Sequence, residues 1–148
     1  MTPHPLIVGN ASLPRSIPFL PHHTHTIRFN RFEEHPDLPP PDYHITAAGT
    51  AWHGQGRQIT TVRHQDWTTA LRFTMPRVPL IVCPPAGEGK HASSGLAAIL
   101  HFLATADHIH LIGFDHGATG TNNSDAHDWG LEASICSHLV TQGRLTYL

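Results

Sequence analysis

The sequence predicts an α/β fold, a three-layer Rossmann-like sandwich built around a mainly parallel sheet, as one domain over residues 1–148. Three observations predict it. Short apolar runs alternate with stretches of helical period. The segments between successive strand-like runs are long enough for parallel crossovers rather than hairpins. No repeat or internal linker divides the 148 residues, a usual length for one domain.

The elements follow in order. Leu6-Ile7-Val8 ends at Gly9-Asn10 and reads as a buried strand entering a turn. Pro14, Pro18 and Pro21 restrict the next crossover to a short or broken helix. Thr26 to Phe32 alternates with period two, a second strand, and Pro36 to Pro41 is a stiff surface connector. Tyr43 to Ala48 and Ile59 to His64 are the third and fourth strands, with a loop at His53-Gly54-Gln55-Gly56. Trp67 to Phe73 reads as a helical turn, and Val78 to Cys83 as a buried strand stopped by Pro84-Pro85. From Ser93 the period lengthens: Leu96, Ile99, Leu100 and Leu103 share one helical face, which Ser93 or Ser94 can cap. His108 to Phe114 is the next strand, Leu131, Ile135 and Leu139 mark a second helix, and Arg144 to Leu148 is the last strand.

Composition removes several classes of function. Lys and Arg number 9 against 11 Asp and Glu, a net charge of −2, so no broad cationic surface for nucleic acid is expected. Cys83 and Cys136 are too few and too far apart for a disulfide framework or zinc knuckle, and read as small core residues. No apolar run approaches the ~20 residues of a membrane span, and Met1-Thr2-Pro3-His4-Pro5 lacks signal-peptide features. The expectation is a reduced, cytoplasmic setting. Without Gly-x-Gly-x-x-Gly after the first strand, dinucleotide-dependent hydride transfer is disfavoured. Histidine is the unusual residue: 15 of them, scattered from His4 to His138, outnumber Lys and Arg together.

Ligands of open α/β sheets settle beyond the C-terminal strand ends. Four segments converge there in this reading: Gly9-Asn10-Ala11-Ser12, Asn30-Arg31, Ser93-Ser94-Gly95 and Phe114-Asp115-His116. Gly9 permits close backbone approach, and the two asparagines offer donors and acceptors suited to a base, ribose or phosphate. The serine-started helix offers hydroxyls, free N–H groups and a positive dipole end, which hold an anion without lysine.

In this order, the segments resemble the motifs of sialyltransferases. Leu6 to Ser12 followed by Ile27 to Phe32 resembles the first nucleotide-binding motif, which in the bacterial form has a strand ending in Gly-Asn and a second carrying an aromatic residue and Asn. His91 to Leu103 followed by Ile109 to Asp115 is similar to the second, a Ser/Thr-Ser/Thr-Gly helix start leading to a strand ending in Gly-Phe or Gly-Ile-Asp. His127-Asp128-Trp129-Gly130-Leu131-Glu132 resembles the late His…Glu motif, which supplies that family's catalytic histidine. The resemblance covers about two thirds of the chain.

The resemblance implies inverting transfer of a sialic-acid-like sugar from a cytidine monophosphate donor to a glycan hydroxyl, with no required cofactor or metal. Carried over by position, Gly9, Asn10, Asn30, Ser93, Ser94, Gly95, Asp115 and His116 hold the nucleotide and phosphate, and Arg31 reaches the sugar. His127 is the general base, and Glu132 either orients its imidazole or favours the helix dipole. Two features depart from the pattern: no Tyr lies between Asp115 and Asp125, and no Asn ends the third strand. The chain is also short for the family, which leaves a homo-oligomer open.

Two rival readings remain. A metal-dependent hydrolase would draw ligands from His22, His23, His25, His108, His110, Asp115, His116, Asp125, His127 and Asp128. A non-catalytic nucleotide- or sugar-binding protein would use the same cradle without His127, with Trp52, Trp67 and Trp129 as candidate stacking surfaces.

Overall fold

The computed structural model describes residues 2–17, 19–30, 32, 34–47, 55–63, 79–87, 89–117 and 125–148. Arg31, Trp52, Trp67, the turn expected over 67–73 and the polar run 118–124 lie outside the described residues. Seven strands form one sheet: β1 (His4–Val8), β2 (His23–Phe29), β3 (Tyr43–Ala47), β4 (Arg57–Arg63), β5 (Leu80–Cys83), β6 (Ile109–Ile112) and β7 (Leu145–Tyr147). The two described helices are α1 (Ser94–Leu103) and α2 (Trp129–Thr141). The order is β5-β4-β3-β2-β1-β6-β7, and every neighbouring pair is parallel.

Topology explains where the helices lie. From β1 to β5 the chain steps outward in one direction; it then returns past β1 to β6 and continues to β7. Right-handed crossovers running in opposite directions fall on opposite faces of a sheet. Both described helices occur after β5, and both pack on the face formed by Ile7, Ile27, Ile45, Ile59, Ile109 and Leu111. Full burial of such aliphatic side chains contributes about 1.5–3 kcal/mol each. The opposite face presents Leu6, Val8 and Ile112, covered by Leu13, Ile17, Leu20 and Leu38. Those four come from the two proline-bearing connections, so the described part of the third layer is irregular chain rather than helix.

Three sequence expectations need correction. Strand β2 begins at His23 and ends at Phe29, not Phe32, because Asn30 turns the chain at φ 43°. The Phe32 ring instead lies under the Arg28 guanidinium, 4.4 Å from its carbon. Strand β5 is buried on one side only: Ile81 and Cys83 face the core, but Val82 is 42% exposed because β5 is an edge. Leu100 and Leu131 are each 41% exposed and lie off the buried helix faces. Helix α1 buries Leu96, Ala97, Ala98, Ile99 and Phe102; α2 buries Glu132 and Cys136. Among the described residues no helix is long and apolar enough to cross a membrane.

Candidate functional site

Strands β1 and β6 are neighbours whose outgoing connections diverge, β1 toward β2 and β6 toward β7. Such a switch point opens a crevice at the C-terminal strand ends. Two glycines meet there. A Cβ on Gly9 would stand 2.2 Å from the Gly113 carbonyl oxygen, and one on Gly113 would stand 2.9 Å from the Gly9 oxygen. Gly9 N–H donates to Ile112 O at 2.8 Å, and Ala11 N–H to Gly113 O at 3.0 Å. Gly9 is therefore required by the backbone beside it.

The asparagines tie strand tips together. Asn10 Nδ2 donates to Phe29 O at 3.2 Å, joining the ends of β1 and β2. Asn30 Oδ1 accepts from Ala47 N–H at 2.8 Å, and its carbonyl accepts from His44 Nε2 at 2.6 Å, joining β2 to β3. Asn tolerates the left-handed backbone found at this corner, which most side chains resist. Phe114 stands between the β1 tip and the start of α1. Its ring lies 2.9 Å from a Cβ placed on Gly9 and 2.8 Å from one on Gly95, and meets Phe29 edge-to-face at 6.2 Å.

The start of α1 is organised from two directions. Ser93 caps it, accepting at Oγ from Leu96 N–H at 3.1 Å. Ser93 N–H and Oγ–H each donate to Glu132 at 2.7 Å, one to each carboxylate oxygen. Glu132 is only 2% exposed, so these are charge-assisted bonds away from water. It therefore clamps the first turn of α2 to the N-cap of α1. Ser94 Oγ shares a 2.7 Å hydrogen bond with Thr61 Oγ1 on β4. The first-turn N–H groups of Ser94 and Gly95 are those an α-helix leaves without an intrahelical acceptor.

His127 precedes Asp128, which caps α2 by accepting from Leu131 N–H at 3.0 Å. Its Nδ1–H donates to the His91 carbonyl at 2.9 Å. In a neutral imidazole that bond fixes the tautomer and leaves the Nε2 lone pair as proton acceptor. The ring packs edge-on against His91 at 4.8 Å and Trp129 at 5.1 Å. Trp129 also covers Gly117, where a Cβ would be 2.8 Å from the indole. Asp115 turns its own loop, accepting from Gly117 N–H at 3.0 Å. His116 Nε2 and the Tyr147 hydroxyl are 2.6 Å apart. Burial pushes the His116 pKa down, against the opposing charges of Glu132 and Asp115.

The described residues of the segments expected at the crevice thus lie at one end of the sheet, and several of them are engaged by other parts of the fold. Ser93 and Glu132 bind each other, Asn30 Oδ1 serves β3, and Gly9 serves Gly113. Both Glu132 oxygens go to Ser93, while the partner orienting His127 is the His91 carbonyl. Phe114 belongs to a segment the sequence placed at the crevice, whereas nothing local to His91, Thr61 or Tyr147 marked them as contacts here. Only the Gly-Phe pair after β6 carried a local signal, a glycine needed for a close approach followed by a ring able to fill it.

The sequence matches no family model and no curated protein. Solved structures do match. A mammalian sialyltransferase superposes with TM-score 0.64 at 16% identity, covering 99% of this chain and 68% of that one. A mammalian sialyltransferase solved with Gal-beta-1-3GalNAc-ortho-nitrophenol gives TM-score 0.58 at 16% identity, covering 99% and 69%. The chain has a sialyltransferase-like fold.

Proposed function

Starting from that fold, we propose that the protein is a glycosyltransferase moving a sialic-acid-like sugar from a cytidine monophosphate donor to a glycan hydroxyl, with inversion. The observation carrying this reading is the 2.9 Å contact of His127 Nδ1 with the His91 carbonyl, which in a neutral imidazole leaves Nε2 to accept a proton. His127 Nε2 takes the acceptor hydroxyl proton as that oxygen bonds to the anomeric carbon. The bond from that carbon to the phosphate oxygen breaks on the opposite face, which inverts the centre. The departing phosphate gains charge, and the N–H groups at the start of α1, with the Ser94 hydroxyl, are suited to receive it. Asn10 and Asn30 at the strand tips flank the nucleotide. Glu132 is a positioning residue, holding the start of α1 against the helix that follows His127.

The glycan acceptor is supported by the acceptor-like disaccharide in one of the matching structures. The hydrolase alternative gains no such support: among the described residues, no three His, Cys, Asp or Glu side chains are grouped to hold a metal. Calorimetry in excess chelator should register cytidine monophosphate binding to the wild type. His127→Ala should keep that affinity within about twofold and lower transfer by ~10²–10⁴-fold. Unchanged transfer removes His127 as base; binding without any transfer in the wild type favours a non-catalytic nucleotide-binding role.

A further inference from the structure

The end of the sheet opposite the crevice carries a cluster the proposed reaction does not use. His4 opens β1, His23 opens β2, and His108 and His110 lie just before and within β6. The register sets His4 beside His23 and Leu6 beside His110, so the cluster projects to the face away from the helices. Ring centroids are 4.9 Å apart for His4 and His108, 5.2 Å for His108 and His110, 5.6 Å for His4 and His110, and 6.5 Å for His23 and His110. His108 Nδ1–H donates to Gly143 O at 2.7 Å, which ties the cluster to the turn before β7. The Nδ1 atoms of His23 and His110 are buried with no hydrogen-bond partner among the described residues.

A carboxylate at this end of the sheet, Asp42 before β3, is engaged by the backbone of β2, its Oδ2 accepting from Thr26 N–H at 2.7 Å. The groups acting on His110 are His108, His4 and His23; on His23 the His22 imidazole lowers the pKa and the His22 backbone raises it, and no carboxylate is among them. On the adjoining chain, Asp107 precedes His108 and Arg144 precedes β7. The Arg144 guanidinium is engaged by the carbonyls of Leu103, Ala106 and Asp107. Neutral imidazoles can pack edge to face in this setting, whereas a proton on His110 places a cation beside three similar rings and one on His23 places a cation beside His110.

We infer that these four histidines form an acid-released latch: with His23 and His110 neutral, the cluster closes the N-terminal ends of β1, β2 and β6, and protons on those two rings drive it apart and open that end of the sheet. The crevice end keeps separate ties through Gly9, Asn10 and Ser93. Burial, then neighbouring imidazoles, lower the pKa of His23 and His110 below the ordinary 6.5. The sign follows from linkage. The unfolded chain takes up these protons first as pH falls below about 6.5, so the stabilisation is complete above that value and is lost as pH falls through the folded values.

The test is thermal unfolding of the full chain in chelator at pH 7.5 and 5.5. The wild type should lose about 4–8 °C on acidification, and His23→Gln/His110→Gln should lose less than half as much. An unchanged drop in the double variant overturns the latch. Wild-type protein supplies a second reading through imidazole NMR titration and amide exchange. His23 and His110 should titrate below about 6.5, and at pH 5.5 protection should fall at Leu6 and His110 before it falls at Val8 and Ile112. Titration at or above that value, or uniform loss of protection, overturns it equally.

Discussion

Removing the Glu132 carboxylate tests how the two helices are held together. In Glu132→Ala, the Ser93 N–H and Oγ–H lose acceptors that now sit at 2.7 Å each, in a place where Glu132 is 2% exposed. An orphaned buried donor costs about 1–3 kcal/mol, so two cost about 2–6; water entering the emptied space moves the expected value to roughly 3–4 kcal/mol. At about 2–4 °C per kcal/mol for a chain of this size, the melting temperature should fall by roughly 6–16 °C. Glu132→Gln keeps one acceptor but loses the charge, and should cost about 1–2 kcal/mol. Ser93→Ala removes the cap and strands one carboxylate oxygen, about 2 kcal/mol. Because the residues bond each other, the double variant Ser93→Ala/Glu132→Ala should cost at least 1 kcal/mol less than the sum of the single variants. Urea unfolding of the four variants and the wild type measures this. Additivity within about 0.5 kcal/mol, or a Glu132→Ala cost under 1 kcal/mol, refutes the clamp.

Two further outcomes follow from the crevice floor and the buried thiols. Gly9→Ala drives a Cβ to 2.2 Å from the Gly113 backbone oxygen, and should destabilise by about 3 kcal/mol or more. Gly143→Ala meets nothing within 4 Å but must adopt φ +68°, so about 1 kcal/mol is expected by the same denaturant measurement; equal costs would refute the close-packed glycine pair. Burial, with the Glu132 charge contributing, pushes the Cys83 and Cys136 thiols up to about 11. Native protein at pH 8 should therefore label with a thiol reagent at least ~100-fold more slowly than unfolded protein. Rapid native labelling would show that one of them reaches solvent.

The strand–helix order was legible because short segments such as Leu6-Ile7-Val8, and Ile109, Leu111 and Ile112 around His110, leave parallel-sheet strands little choice. Helix faces were less legible. Periodicity put Leu131 inward, but Glu132 occupies the buried position, since a carboxylate can be buried when two donors await it from 39 residues away in sequence. Likewise, the end of β2 depended on Asn30 accepting a left-handed turn and bonding Ala47, a partner on another strand.

By itself, the sequence determined the parallel α/β class, the serine-capped start of α1 and the histidine at the head of α2, because period, capping chemistry and apolar runs act between near neighbours. Tertiary structure alone decided what those residues touch. It gave Glu132 to Ser93, the His91 carbonyl to His127, Phe114 to two glycines, and four scattered histidines to one another. Each of those contacts joins segments far apart in the chain, and only strand order brings them within reach.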